Sequence, residues 1–263
     1  MTVARKGVVY LVGAGPGDPE LLTLRAARLL ADADAVLHDG LVPQAILDQI
    51  PPRALLTNVE KRCGQKRITQ AEIHALMIAA ARSGQSVVRL KSGDPLVFGR
   101  AAEEIEALET AGIPFEVVPG ITAAFAAAAA LQASLTDRRS ASKIIFVTGQ
   151  QATHPIQEQS ADHEQDTTVW HGPLPEDATL IVYMPGRSYR ALAENLLREG
   201  LSAATPCLAV SRACRLDQQT HACRLDELAA LEPGPAPTLL LIGRPMAKVA
   251  ARHASLAIAT QNL

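Results

Sequence analysis

The strongest constraint on this chain is a unit repeated through its first half: a mostly apolar run, a turn built on glycine and proline, then a helix-forming stretch. Val8–Val12 leads into Gly13-Ala14-Gly15-Pro16-Gly17-Asp18, and Val87–Leu90 into Lys91-Ser92-Gly93-Asp94-Pro95. Phe115–Val118 leads into Pro119-Gly120-Ile121-Thr122. Val8–Val12, apolar throughout, reads as a strand buried on both faces, the habit of parallel sheets. Parallel strands need crossover connections, usually helices, and these are right-handed. The expected class is therefore α/β. The three turns leave carboxyl ends of strands in one sheet and so face one crevice, where α/β proteins bind ligands.

Further elements follow from local signals. Ala35–His38 and Ala54–Thr57 read as strands, and Leu22, Ala26, Leu29, Leu30 and Ala33 recur at helical spacing. Thr69 and Glu72 form a capping box ahead of Ile73, Leu76, Met77, Ala80 and Ala81, and Gly84 ends that helix. Helices are also expected over Arg100–Ala111 and over the alanine-rich Ile121–Ala133. In the second half, strands are expected at Ile144–Val147, Thr179–Tyr183, Pro206–Val210 and Thr238–Gly243, with Gln218–Cys223 pairing antiparallel. A helix is expected from Ser188 to Glu199.

The length of 263 residues suits two domains, 1–138 and 139–263, divided in the polar stretch 136–143. Residues 150–177 read as a polar surface insertion. Its histidines, His154, His163 and His171, follow no metal-ligand spacing, and Cys63, Cys207, Cys214 and Cys223 contain no CxxC pair, so no metal is expected. A formal charge of −2 gives no field to recruit nucleic acid. The longest apolar run, Ala123–Leu131, is too short for a membrane span, and no signal peptide is legible, so a cytoplasmic protein is expected.

The first turn approaches the dinucleotide fingerprint GxGxxG, but Asp18 stands at the third glycine and Pro16 intrudes before the phosphate helix. That argues against an oxidoreductase of Rossmann type. Taken together, GAGPGDPELLTL, RLKSGDPLVFGR and VVPGIT, with VTG at Val147–Gly149 and YM at Tyr183–Met184, resemble the uroporphyrinogen-III C-methyltransferases of the tetrapyrrole methylase family. The likeness runs from Val8 to Gly243.

This resemblance implies two α/β domains with S-adenosylmethionine in the cleft between them, usually in a homodimer. It implies C-methylation of uroporphyrinogen III at two pyrrole carbons to give precorrin-2, on the way to sirohaem or cobalamin. Carried over by position, the donor would meet Pro16, Ser92, Gly93, Asp94, Val97, Thr122 and Ala123, then Met184 and Ala213, with main-chain contacts near Thr238–Leu240. Asp39 would accept a proton and Lys61 would donate one or hold substrate charge, while Arg62, Lys91 and Arg100 would meet the substrate's carboxylates. Without the resemblance, Asp39-Gly40 also reads as a turn and Lys61-Arg62 as a solvated patch.

The chain also departs from the pattern. His38-Asp39-Gly40-Leu41 replaces Tyr-Asp-Arg-Leu, and Glu60-Lys61-Arg62 replaces Gly-Lys-Arg. Ser92 stands for a glycine, Ala101-Ala102 for a glycine pair, and Asp137 for a histidine. The donor loops are better kept than the acceptor side. Two alternatives therefore stay open: a methyltransferase for a different tetrapyrrole, such as a corrin precursor, or a non-catalytic S-adenosylmethionine-binding paralogue.

Overall fold

A computed structural model describes residues 4–60, 68–149, 170 and 172–253. Lys61, Arg62, Cys63, His154, His163 and His171 lie outside the described residues, as does most of the expected insertion. The chain divides into two compact units, Met1–Ala123 and Ala124–Leu263.

The first unit holds β1 (Val9–Gly13), β2 (Ala35–His38), β3 (Leu55–Asn58), β4 (Val87–Lys91) and β5 (Phe115–Val118). They form one sheet in the order β3-β2-β4-β1-β5, and every pairing is parallel. Helices α1 (Leu24–Asp32), the single turn α2 (Gln44–Leu47), α3 (Gln70–Arg82) and α4 (Ala101–Thr110) complete it. Alternate residues of β1 serve opposite faces, as pleating requires. Tyr10 and Val12 pack with Leu29, Leu30 and Ile46, whereas Val9 and Leu11 pack with Ile73, Met77 and Leu108. Both faces of the sheet are thus covered, which is why β1 reads as an unbroken apolar run.

Caps and stops act where the residues indicated. The Thr69 hydroxyl accepts from the Glu72 amide and the Glu72 carboxylate accepts from the Thr69 amide, so α3 starts with both arms of its capping box. Gly84 then takes φ +82° in open space and ends it.

The second unit holds β6 (Lys143–Thr148), β7 (Ala178–Tyr183), β8 (Pro206–Ser211), β9 (Gln219–Arg224) and β10 (Thr238–Ile242), with α5 (Ala123–Ala130) and α6 (Arg190–Arg198). The order is β6-β7-β10-β8-β9. β6 and β7 pair parallel, and the other pairings are antiparallel, including the expected β8–β9 pair. Ile181, Leu208 and Leu241 face Ala124, Ala127 and Ala128, while Val182, Ala209 and Leu240 face Leu192, Ala193 and Leu196 of α6.

That packing moves the division between the units to Ala123/Ala124, ahead of the expected 138/139. The alanine helix presents a small-residue face that belongs to the second core, together with Leu131 and Leu135. The polar stretch 136–143 is instead a local turn, where Asp137 and Ala141 exchange backbone hydrogen bonds of 3.0 and 2.8 Å. Among the described residues, no helix is long and apolar enough to cross a membrane.

Candidate functional site

Adjacent strands β1 and β4 send their chains in opposite directions, β1 towards β2 and β4 towards β5. Such a reversal opens a crevice at the carboxyl edge of a parallel sheet. The three glycine turns meet there. Gly15 and Gly93 bridge each other with two backbone hydrogen bonds, 3.1 and 2.8 Å long, and the Ala14 amide donates to the Lys91 carbonyl at 2.7 Å. A Cβ on Gly13 would come within 2.6 Å of Gly120 Cα and 2.7 Å of the Gly93 oxygen. Main chain therefore lies on main chain across all three turns, an approach only glycine allows.

Asp94 ties the turns together. Its Oδ1 accepts from the Leu96 amide at 2.8 Å, and its Oδ2 accepts from the Gly120 amide at 3.0 Å. Both oxygens are engaged inside the protein, so Asp94 holds the turns in register. Pro16 and Thr122 are buried, and Ser92, Gly93, Val97 and Ala123 are half-buried around the same edge. Leu96 and Phe98 stand exposed beside Val97, which gives apolar surface next to polar main chain.

The dinucleotide alternative finds no support in this geometry. After Gly17 the chain enters a short 3₁₀ turn capped by Asp18, whose Oδ1 accepts from the Glu20 amide at 2.9 Å. It is extended at Leu22 and Thr23 before α1 begins at Leu24. The helix that follows thus starts seven residues beyond Gly17, whereas a phosphate site of that kind puts the N-terminus of the helix at the turn itself.

On the far side of β4, four charges form a chain. Arg89 and Lys91 are 3% exposed and Glu104, on α4, is fully buried. Lys91 Nζ donates to both Glu104 oxygens at 2.9 Å, and Arg89 Nε donates to Oε1 at 2.9 Å. Arg89 Nη1 donates to the Leu90 carbonyl at 3.2 Å, and Nη2 to Asp39 Oδ1. Burial is the largest influence on Arg89 and pulls it down, but the Asp39 and Glu104 carboxylates more than reverse this and leave it raised. Burial, then the charge of Arg89, lowers Lys91 below its usual range.

The Lys91 ammonium, which the resemblance would set against substrate carboxylates, is buried and bonded to Glu104. Arg100 is exposed in the left-handed conformation at the start of α4, its guanidinium on Glu103 at 2.6 and 2.7 Å. Asp39 stands just past β2 with its carboxylate partly exposed. Arg89 and Glu104 were missed by sequence reasoning, although two cations in an otherwise apolar central strand are the signal that marks them.

Two departures from the family pattern prove to be one feature. A Cβ at Gly40 would fall on Glu60 Oε2 and lie 2.8 Å from its Cδ, so the Glu60 carboxylate fills the space of a residue-40 side chain.

In the second unit, Met184 follows β7 and Ala213 follows β8, and these two strands both run antiparallel to β10 between them. Thr238 starts β10 opposite Ser211, so all three sites fall at one end of the sheet. Gly149 joins them, its amide donating to the Tyr183 carbonyl at 2.8 Å. Five of the six described non-glycine residues at positive φ lie in these turns and in the 92–100 turn: Phe98, Arg100, Met184, Arg212 and Cys214. Backbone strain of this kind concentrates at functional sites.

The model of the tetrapyrrole (corrin/porphyrin) methylases matches residues 8–229. The chain belongs to the tetrapyrrole methylase family. Over 91% of its length it is 43% identical to the uroporphyrinogen-III C-methyltransferase of Paracoccus denitrificans, matching 82% of that protein. The sirohaem synthase of Hahella chejuensis is 41% identical over 90% of this methylase, which spans only 49% of that longer relative. The crystal structure of the Thermus thermophilus uroporphyrin-III C-methyltransferase complexed with S-adenosylhomocysteine superposes with a TM-score of 0.72 at 36% identity, covering 90% of this chain and 92% of that one.

Proposed function

We propose that this methylase transfers methyl groups from S-adenosylmethionine to two pyrrole carbons of uroporphyrinogen III, giving precorrin-2 for sirohaem or cobalamin synthesis. The observation that carries the reading is the contact of Gly13, Gly93 and Gly120, which presents main chain and a few apolar side chains to a ligand. Such a surface suits a donor recognised by shape and by hydrogen bonds to amides and carbonyls. When bound, S-adenosylmethionine supplies a methyl group already activated on a sulfonium.

In this reading the chain's residues position and move protons. Pro16, Ser92, Gly93, Val97, Thr122 and Ala123 shape the donor site in the first unit, with Asp94 fixing their turns. Met184 and Ala213 contribute from the second. The attacked carbon bears a side chain and no hydrogen, so Asp39 takes the proton that another position of the methylated ring loses after attack, and Lys61 donates a proton or holds substrate charge. Arg62 and Arg100 meet acceptor carboxylates. Holding the reacting carbon in line with the methyl accounts for much of the rate. A cytoplasmic homodimer completes the proposal.

The test is to mix purified protein with S-adenosylmethionine and freshly generated uroporphyrinogen III under reducing conditions, then read product mass and absorption. Two added methyls are expected. Absence of donor binding by calorimetry would sink the reading. Asp39→Asn should lower turnover by about 10²- to 10⁴-fold and leave donor affinity unchanged; undiminished turnover would remove Asp39 from the chemistry.

One observation favours a second reading. Glu60 over Gly40 places a carboxylate beside Asp39, which disfavours an acceptor with eight carboxylates. A tetrapyrrole with fewer free acids would then be the substrate, and the same assay would show donor binding without methylation of uroporphyrinogen III.

A further inference from the structure

The buried charges on β4 are more than the fold requires. A parallel strand between two helical layers is well served by aliphatic residues, and a buried ion pair adds little over such packing. Val87, Arg89 and Lys91 share the face that also carries Leu11, Leu37 and Met77, yet two of these three positions are cations. Their bonds run in one direction. Lys91 holds Glu104 by both oxygens, and Glu104 holds Arg89 by Nε. Backbone carbonyls of Leu37 and Leu90 hold Nη1. Only Nη2 points outward, and it ends on the partly exposed carboxylate of Asp39.

The guanidinium is planar, so a fork fixed at Nε and Nη1 has Nη2 fixed as well. We infer that Arg89 is the positioning residue for Asp39, orienting its carboxylate through a guanidinium that Glu104, itself clamped by Lys91, holds rigid inside the sheet. This deepens the proposed function, since it rests on Asp39 being the proton acceptor. Among the described residues, the remaining groups facing Asp39 do not compete for that role. The His38 ring nitrogen Nδ1 lies 3.0 Å from the Asp39 carbonyl, not the carboxylate, and Glu60 lies across Gly40 with like charge. The four members carry two positive and two negative charges, so the cluster is neutral.

The test is a double-mutant cycle on turnover. Arg89→Gln with Glu104→Gln removes the fork and leaves Lys91 against Asp39, so the cluster stays neutral. Arg89→Lys keeps the charge without the fork. Each protein is checked for cooperative melting and for binding of S-adenosylhomocysteine, both expected to be retained. In otherwise parental protein, kcat should fall by about 10- to 100-fold in the double-glutamine variant, with KM for both substrates within about twofold. Arg89→Lys should recover part of that loss. In the Asp39→Asn background the same changes should cost nothing further, because groups acting through one residue are not additive.

An unchanged kcat in the double-glutamine variant overturns the inference. So does an equal loss with and without Asp39, which is what a purely structural role gives. If Asp39→Asn alone leaves turnover intact, the assignment of Asp39 fails first, and the inference fails with it by a separate measurement.

Discussion

Gly120→Ala tests the main-chain contact at the centre of the donor site. Gly120 does not occupy the left-handed region, so alanine meets no conformational penalty there and its effect is steric alone. The added methyl would overlap the Gly93 carbonyl oxygen and lie 2.8 Å from Gly13 Cα, both backbone atoms that cannot swing aside. A relaxed carbon–oxygen contact needs about 3.3–3.6 Å, so the turns must open by roughly 1 Å. Overpacking of this kind costs about 1–3 kcal/mol. Opening also stretches the 3.0 Å bond from the Gly120 amide to Asp94, a charge-assisted contact worth about 1.5–3 kcal/mol. The expected loss is therefore about 2–5 kcal/mol by urea unfolding, with donor affinity at least about tenfold weaker by calorimetry, since 1.4 kcal/mol of that loss suffices if the bound geometry needs the closed turns. Gly84→Ala is the control: it sits in open space at φ +82°, so it should cost about 1–2 kcal/mol of stability and leave donor binding alone. If Gly120→Ala binds S-adenosylhomocysteine like the parent, the glycine contact does not shape the donor site.

Three further outcomes are expected. Glu104→Ala leaves Arg89 and Lys91 buried without their shared carboxylate and should destabilise by about 3–5 kcal/mol in denaturant titration, whereas Glu104→Gln should cost less. Thr69→Ala removes the hydroxyl arm of the α3 capping box and should cost about 0.5–2 kcal/mol in the same assay, with donor affinity unchanged. Hydrogen bonds from Lys6, then from the Ser86 amide and hydroxyl, hold the Asp34 carboxyl at about 2 in place of 3.8. The folded value is the lower one, so this stabilisation is present above about pH 4 and drains away as pH falls towards 2. Asp34→Asn should therefore flatten the dependence of stability on pH across that window.

Much of the fold was legible because its determinants are local. Ala35–His38 and Phe115–Val118 are legible with the bounds they have, and β1 and β4 to within a residue, since short apolar-rich stretches between turn residues mark strands regardless of neighbours. The capping box and its glycine stop needed no tertiary information either. The single turn α2 escaped notice because four residues after Pro43 show no period. The alanine helix was read too long, and its membership in the second unit was invisible, because a run of identical small residues marks no face. The donor turns were legible as turns, but their contact depends on the order β4-β1-β5, which no local pattern encodes. The pairing of Lys91 with Glu104 was hidden for a related reason: Glu104 sits on the following helix, and only the packed structure brings the two together.

Gly40 and Glu60 occupy a single volume, and so they behave as one heritable character. Either position can carry the bulk, but not both in their present poses, and whichever does sets the sign of the charge next to Asp39. Converting Gly40 to arginine alone would trap a cation against Glu60 and neutralise both. The charge next to Asp39 is therefore set jointly by residues 40 and 60.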